Sequence, residues 1–176
     1  MKAYNIIGFV GYLLCLVTAL NYIFPSPLIV LVIFVHPLSM VLRASAWFLL
    51  YMERRNVLFI IICSSLISSL VGESLLLSTA TPLSVVLVIW TVYSIIELIG
   101  YIYLTRYNPI FSLTTMIVPA IIISWVVLNL DIYIRGIEDV MVLVRYIQTI
   151  GILMMLSSFS AAIGFLQLKL KSRVSR

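Results

Sequence analysis

Six stretches of 21 or more residues, each almost wholly apolar and parted from the next by a short polar break, make up nearly all of this 176-residue chain. About 20 apolar residues in a helix cross the ~30 Å hydrocarbon core of a bilayer. Irregular backbone cannot lie exposed in lipid, where its N–H and C=O groups would find no partner. The expected fold class is therefore an all-α integral membrane protein, a bundle of about six transmembrane helices. Composition agrees, with 64% of residues hydrophobic and 10% charged, against about 25% charged in a soluble domain.

The spans are expected at about 4–24, 28–51, 57–80, 83–104, 110–130 and 140–167, forming one polytopic domain over 1–168 with a basic tail over 169–176. Pro25-Ser26-Pro27 stops the first span, Thr81-Pro82 the third, and Asn108-Pro109 opens the fifth, because proline cannot continue a helix but can begin one. Pro37 and Pro119 fall inside spans and are expected to kink them. The third span is the least regular. Its uninterrupted apolar run, Val57 to Gly72, is 16 residues long and ends at Glu73, short enough for a re-entrant segment. Met1-Lys2 followed by an apolar run also resembles a signal peptide, but Val17-Thr18-Ala19 matches a cleavage site poorly, and the segment is taken as the first span.

Orientation follows from the basic residues of the short connections. With both termini cytoplasmic, the inner segments hold Lys2, Arg54, Arg55, Arg106, Lys169, Lys171, Arg173 and Arg176, and the outer ones hold only Arg135. The expected location is the cell membrane, multi-pass, with the basic connections and both ends in the cytoplasm. Lys169, Lys171, Arg173 and Arg176 are then lipid-headgroup contacts, worth roughly 1 kcal/mol per charge at an anionic surface.

Two segments repeat at an offset of 52: Tyr51, Arg54, Asn56 and Phe59 match Tyr103, Arg106, Asn108 and Phe111. Both lie at expected cytoplasmic turns. The offset superimposes spans two and three on spans four and five in the same direction, as in parallel hairpin repeats.

Four charges and one histidine remain within the spans: Arg43, Glu73, Glu97, Arg145 and His36. Each lone charge near the bilayer centre would cost ~2.5–3.5 kcal/mol or more, so partners are expected. At 1.5 Å per residue, Arg43 lies ~12 Å and Glu97 ~10 Å from the cytoplasmic ends of their helices, which makes them level. Glu73 at ~10 Å, Arg145 at ~8 Å and His36 at ~12 Å from the outer ends form a second layer. Pairing Arg43 with Glu97 and Glu73 with Arg145 leaves eight inner bases less Glu53, and Arg135 against Asp131, Glu138 and Asp139 outside, which accounts for the net charge of +5. His36, Met40, Arg43 and Trp47 share one helix face, as do Trp90, Tyr93, Glu97 and Tyr101, and these two faces are expected to meet.

Two small-residue seams suit close helix packing. One is Ser64, Ser68 and Gly72, with Ser65 and Ser69 beside them; the other pairs Ser157 with Ala161 and Ser160 with Gly164.

Most catalytic chemistry is excluded by what is missing. A single His, two Cys and six acidic residues cannot assemble a bis-His haem or a clustered zinc site. Cys15 and Cys63 sit at different depths, so no disulfide is expected. No C-x-x-C, phosphate-binding glycine loop, H-E-x-x-H or G-x-S-x-G motif occurs. The expectation is no enzyme, no cofactor and no nucleic-acid partner; the bilayer, other membrane subunits and lipid ligands are the partners such a chain can have. Two functions fit. The first is a non-catalytic integral membrane subunit of a larger complex, such as an energy-transducing or translocating assembly, with ion pairs fixing helix register. The second is a small transport component, an importer's substrate-binding subunit or a secondary transporter, using the Arg43/Glu97 and His36/Glu73/Arg145 layers.

Overall fold

A computed structural model describes residues 1–24, 29–77, 83–135 and 140–170, without the side chains at 29–33, 73, 75–77, 83, 135, 140 and 142. Six helices account for nearly all of them: α1 Ala3–Ile23, α2 Ile29–Arg54, α3 Val57–Leu77, α4 Leu83–Leu104, α5 Phe111–Arg135 and α6 Val140–Leu166. No strand occurs among the described residues. Five of the helices are long and apolar enough to cross a membrane, and the apolar part of α3 runs over Val57–Gly72.

The helices start and stop for local reasons. Pro37 and Pro119 lie inside continuous helices. Asn108 closes the α4–α5 turn: its carbonyl accepts the Phe111 N–H at 3.3 Å and its side-chain Oδ1 accepts the Ile110 N–H at 3.1 Å. Asn56 makes the same pair of bonds before α3, to Phe59 N and Leu58 N. These asparagines do the work of an N-cap, satisfying amide groups that the first helical turn leaves without partners. α2 ends on Arg54, and Arg55 follows it at φ 54°, the left-handed conformation that usually selects glycine after a helix.

Two boundaries differ from expectation. α2 continues to Arg54, so Glu53 and Arg54 form its last turn instead of a loop. α5 continues to Arg135, which places Asp131 on the helix and not in a connection. No proline or glycine interrupts the chain between Pro119 and Gly136, so nothing in its chemistry ends the helix where hydropathy falls.

Among the described residues each helix packs against its two sequence neighbours, and α6 closes on α1. The result is a closed ring of antiparallel helices. Both ends of the described chain lie at one end of the ring, where the Lys2 ammonium pairs with the Glu53 carboxylate and the Asn5 side chain donates to the carbonyls of Phe165 and Leu168. The bond to Glu53 holds the Lys2 pKa above its usual value. Arg54, Arg55, Arg106 and Lys169 belong to the same, basic end. Around the ring the outward surface is apolar, with Val17 on α1, Val88, Ile95 and Ile99 on α4 and Ile123 on α5 all more than two-fifths exposed. Polar groups are turned inward: Thr18, Ser39, Arg43, Glu97, Thr114 and Ser160 are buried. Apolar outside and polar inside is the arrangement of a protein dissolved in lipid.

The ring has a threefold register. On the even helices the buried positions Ala46, Trp47 and Leu50 recur as Gly100, Tyr101 and Leu104 and again, at the end of α6 and just past it, as Gly164, Phe165 and Leu168. On the odd helices Asn5 and Gly8 correspond to Asn56 and Phe59 and to Asn108 and Phe111. Each odd-helix position meets the aromatic residue of the preceding even helix: Phe59 lies 5.6 Å from Trp47 and Phe111 lies 6.0 Å from Tyr101, centroid to centroid. At the third junction Gly8 sits against the Phe165 ring, which occupies the place a side chain would need. The repeating unit is thus a hairpin of one odd and one even helix. The expected offset of 52 holds for the buried faces of α3 and α5, whereas α2 and α4 match at an offset of 54.

Candidate functional site in the bundle interior

An aromatic layer fills the interior near the basic end. Tyr12 from α1, Trp47 from α2, Phe59 from α3, Tyr101 from α4, Phe111 from α5 and Phe165 from α6 supply one ring per helix, all nearly fully buried. Trp47 and Phe165 meet edge to face at 5.4 Å and Tyr12 and Phe165 stack at 5.1 Å, within the range in which ring pairs attract beyond simple burial. Glycine makes room for these rings. A Cβ at Gly100 would collide with Ile62 and Trp47, and one at Gly164 would stand 2.8 Å from the Phe111 ring.

Immediately beyond this layer, toward the far end of the ring, the structure brings Arg43 and Glu97 together. Arg43 Nη2 binds Glu97 Oε2, and Tyr12 OH donates to Glu97 Oε1 at 2.6 Å. Both carboxylate oxygens are therefore engaged, from α2 and from α1. Trp47 Nε1–H donates to Tyr12 OH at 3.1 Å, which ties the aromatic layer to the ion pair. The guanidinium also lies over the Tyr12 ring at 4.9 Å and the Tyr93 ring at 5.9 Å, a cation–π setting that offsets part of its lost hydration. Its Nη1 reaches Met40 Sδ at 3.4 Å and Cys15 Sγ at 3.7 Å. Arg43 and Glu97 are 3% and 5% exposed, so neither is compensated by solvent. Above them is a cavity of about 30 Å³ lined in part by Ser94, Ser157 and Ser158, room for one or two water molecules.

The remaining expected residues are placed as follows. His36, Met40, Arg43 and Trp47 are all buried on α2, and Tyr93, Glu97 and Tyr101 are buried on α4 with Trp90 half-buried. Arg145 is exposed on α6. The Glu73 side chain lies outside the described residues, and with it the expected Glu73–Arg145 pair; α3 and α6 are not neighbours in the ring. Ser160 Oγ and Thr114 Oγ1 share a hydrogen bond of 2.7 Å, and Asn108 Nδ2 donates to the Gly164 carbonyl at 3.0 Å, so this seam is the α5–α6 contact. Ser157 and Ala161 are buried in the same helix. On α3 the seam divides: Gly72 packs on Ile89 of α4, while Ser64 and Ser68 face outward and are exposed. Lys169 is exposed, and Lys171, Arg173 and Arg176 lie outside the described residues. Cys15 is buried and Cys63 partly so, both as free thiols.

A second cavity of about 180 Å³ continues toward the far end, between α1, α4, α5 and α6, and shares Trp125 with the first. Sequence reasoning did not single it out. Its signal was available only as two tryptophans, Trp90 and Trp125, on different helices, whose rings lie 5.0 Å apart. No group of three or more metal-ligating side chains occurs among the described residues.

These features define a class: an all-helical membrane protein whose interior holds a buried ion pair beside a layer of aromatic rings. Comparison with models of protein families, with characterised proteins and with solved structures finds no match to the chain.

Proposed function

We propose that the protein is a non-catalytic integral membrane subunit of a larger membrane protein complex, an energy-transducing or translocating assembly, in which the Arg43–Glu97 pair fixes helix register. The observation that carries this reading is the engagement of both carboxylate oxygens of Glu97, held by Arg43 and Tyr12 beside the aromatic layer. A carboxylate that relays ions or protons must exchange partners; both Glu97 oxygens are already held by Arg43 and Tyr12, and Trp47, Tyr101 and Phe165 pack together in the adjoining aromatic layer. The outward face of α3 supports assembly with a partner. Ser64 and Ser68 stand four residues apart among exposed Ile61, Ile67 and Val71, the spacing that allows close approach of another membrane helix. The bias of basic residues places the basic end of the ring in the cytoplasm of a cell-membrane protein, with the C-terminal bases at lipid headgroups. α3 is then a full sixth span, its 21 residues covering about 30 Å.

The far-end cavity favours a second reading, a small transport component that takes a substrate into the interior above the ion pair. Purification in a gentle detergent followed by mass spectrometry separates the two. A stoichiometric membrane-protein partner, lost on Ser64→Phe/Ser68→Phe substitution, is the result the subunit reading requires. A chain that purifies alone from its native membrane and retains a small molecule contradicts it.

A further inference from the structure

Two serine hydroxyls open onto the small cavity beside the ion pair. The spacing that relates Trp47, Tyr101 and Phe165 also relates Met40, Ser94 and Ser158, which places these three about one helical turn from the level of the ion pair, toward the far end, on α2, α4 and α6. Arg43 Nη1 reaches Met40 Sδ, but among the described residues neither Ser94 nor Ser158 makes a side-chain hydrogen bond. Their neighbour Ser157 does, donating to the Met154 carbonyl at 3.2 Å. Ser94 and Ser158 are 6% and 4% exposed, yet their hydroxyls are not walled in by surrounding atoms as Ser69 Oγ and Arg43 Nε are. Both residues line the cavity of about 30 Å³ that Arg43 and Glu97 also line. Buried hydroxyls are normally hydrogen-bonded, so two that face one polar cavity mark the site of a molecule that bonds to both.

Size and charge select that molecule. The volume admits only one or two molecules the size of water, at ~10–15 Å³ each. Arg43 and Glu97 offset each other, so an ion entering beside them would lose its hydration with no opposite charge left to replace it. We propose that the cavity holds an ordered water molecule, bonded by Ser94 of α4 and Ser158 of α6 and donating to the Glu97 carboxylate. A carboxylate has ~four acceptor sites, so the water adds to Arg43 and Tyr12 and displaces neither. α4 and α6 are not neighbours in the ring. The ion pair joins α2 to α4, and the water joins α4 to α6, where the repeated position carries Ala161 in place of a third long side chain. The inference extends the register role of the ion pair to the third even helix and does not depend on the protein being a subunit.

X-ray radiolysis of the detergent-solubilised protein, read by mass spectrometry, tests the site, because a water held against a side chain becomes a hydroxyl radical in place and oxidises that side chain where radicals from bulk solvent do not reach. Met154 lines the cavity and Met40 does not, and both are buried. The expected result is oxidation of Met154 several-fold faster than of Met40, at a rate that a radical scavenger in the bulk solvent leaves unchanged. Ser94→Val, which replaces the hydroxyl with methyl groups and fills the space, should bring Met154 down to the rate of Met40. A rise at Met40 in this variant would report a disturbed bundle, and the reading then comes from Ser94→Ala/Ser158→Ala, which adds no bulk and should also slow oxidation of Met154. Met154 as protected as Met40 in the unaltered protein would mean a dry cavity and would overturn the proposal. Unchanged Met154 oxidation in a serine variant whose Met40 stays protected would overturn it as well, since the water would not be held by these hydroxyls.

Discussion

Arg43 and Glu97 occupy equivalent positions of successive hairpins, 54 residues apart, and meet across the interior of the ring although the backbones of α2 and α4 are not neighbours in it. At the third equivalent position, on α6, stands Ala161. Two of three related positions thus carry opposite charges and the third only a methyl group. This arrangement explains why a single pair suffices in the middle of the bundle: the ring geometry points all three positions inward, and any one charge there would need the other.

Tyr12 links the ion pair to the aromatic layer, accepting from Trp47 while donating to Glu97. Tyr12→Phe keeps the ring and its stacking on Phe165 but removes both bonds. Hydrogen bonds to charged groups contribute ~1.5–3 kcal/mol, so the variant should fold with a clearly lowered midpoint of thermal unfolding in detergent. An unchanged midpoint would show that the network contributes nothing to stability.

Gly8 and Phe165 form the α6–α1 closure, the one junction of the ring where an odd helix has no side chain at the repeated position. Gly8→Ala should destabilise the protein, because its Cβ would enter the Phe165 ring. Phe165→Leu in the same chain should restore part of the loss, a coupling read from a double-mutant cycle. Additive effects would mean that the ring does not close through this contact.

Asn5 Nδ2 holds the end of α6 through the Phe165 and Leu168 carbonyls, at 2.7 and 2.8 Å. Asn5→Leu should leave most of the bundle intact while raising hydrogen exchange at residues 163–170 selectively. Uniform exchange across all helices would contradict so local a role.

Arg55 holds a left-handed conformation that favours glycine. Arg55→Gly should be neutral or stabilising by up to about 1 kcal/mol, and Arg55→Val should be destabilising, as measured by unfolding midpoints of the pair. Equal midpoints would place the residue outside the left-handed region in solution.

Much of this architecture is legible in the residues themselves. α4 spans 83–104 as hydropathy dictates, and α1, α3 and α6 start or end within three residues of the expected bounds, because apolar runs and proline breaks act locally. The inward face of α2 is visible in the spacing of His36, Met40, Arg43 and Trp47. The end of α5 was hidden: Asp131 lowers hydropathy without breaking a helix. The threefold register was present in the chain as Asn5, Asn56 and Asn108 and as three small-aromatic-x-x-Leu endings. It escapes a search at one fixed offset because the connections differ in length, giving 54 residues between Trp47 and Tyr101 but 64 between Tyr101 and Phe165. The Trp90–Trp125 cavity was not legible, since which side chains of non-adjacent segments leave a gap between them depends on the packed ring.

The most direct test of the structural role assigned to the ion pair is a double-mutant cycle on Arg43→Ala and Glu97→Ala, read by thermal unfolding in detergent. Removing one partner leaves the other charge buried alone, which costs ~3–5 kcal/mol, whereas removing both leaves no orphan. The account predicts two strongly destabilised single variants and a double variant more stable than the sum of their losses requires, with Glu97→Gln also destabilised. A Glu97→Gln protein of wild-type stability and assembly that has lost ion flux or solute uptake would contradict it.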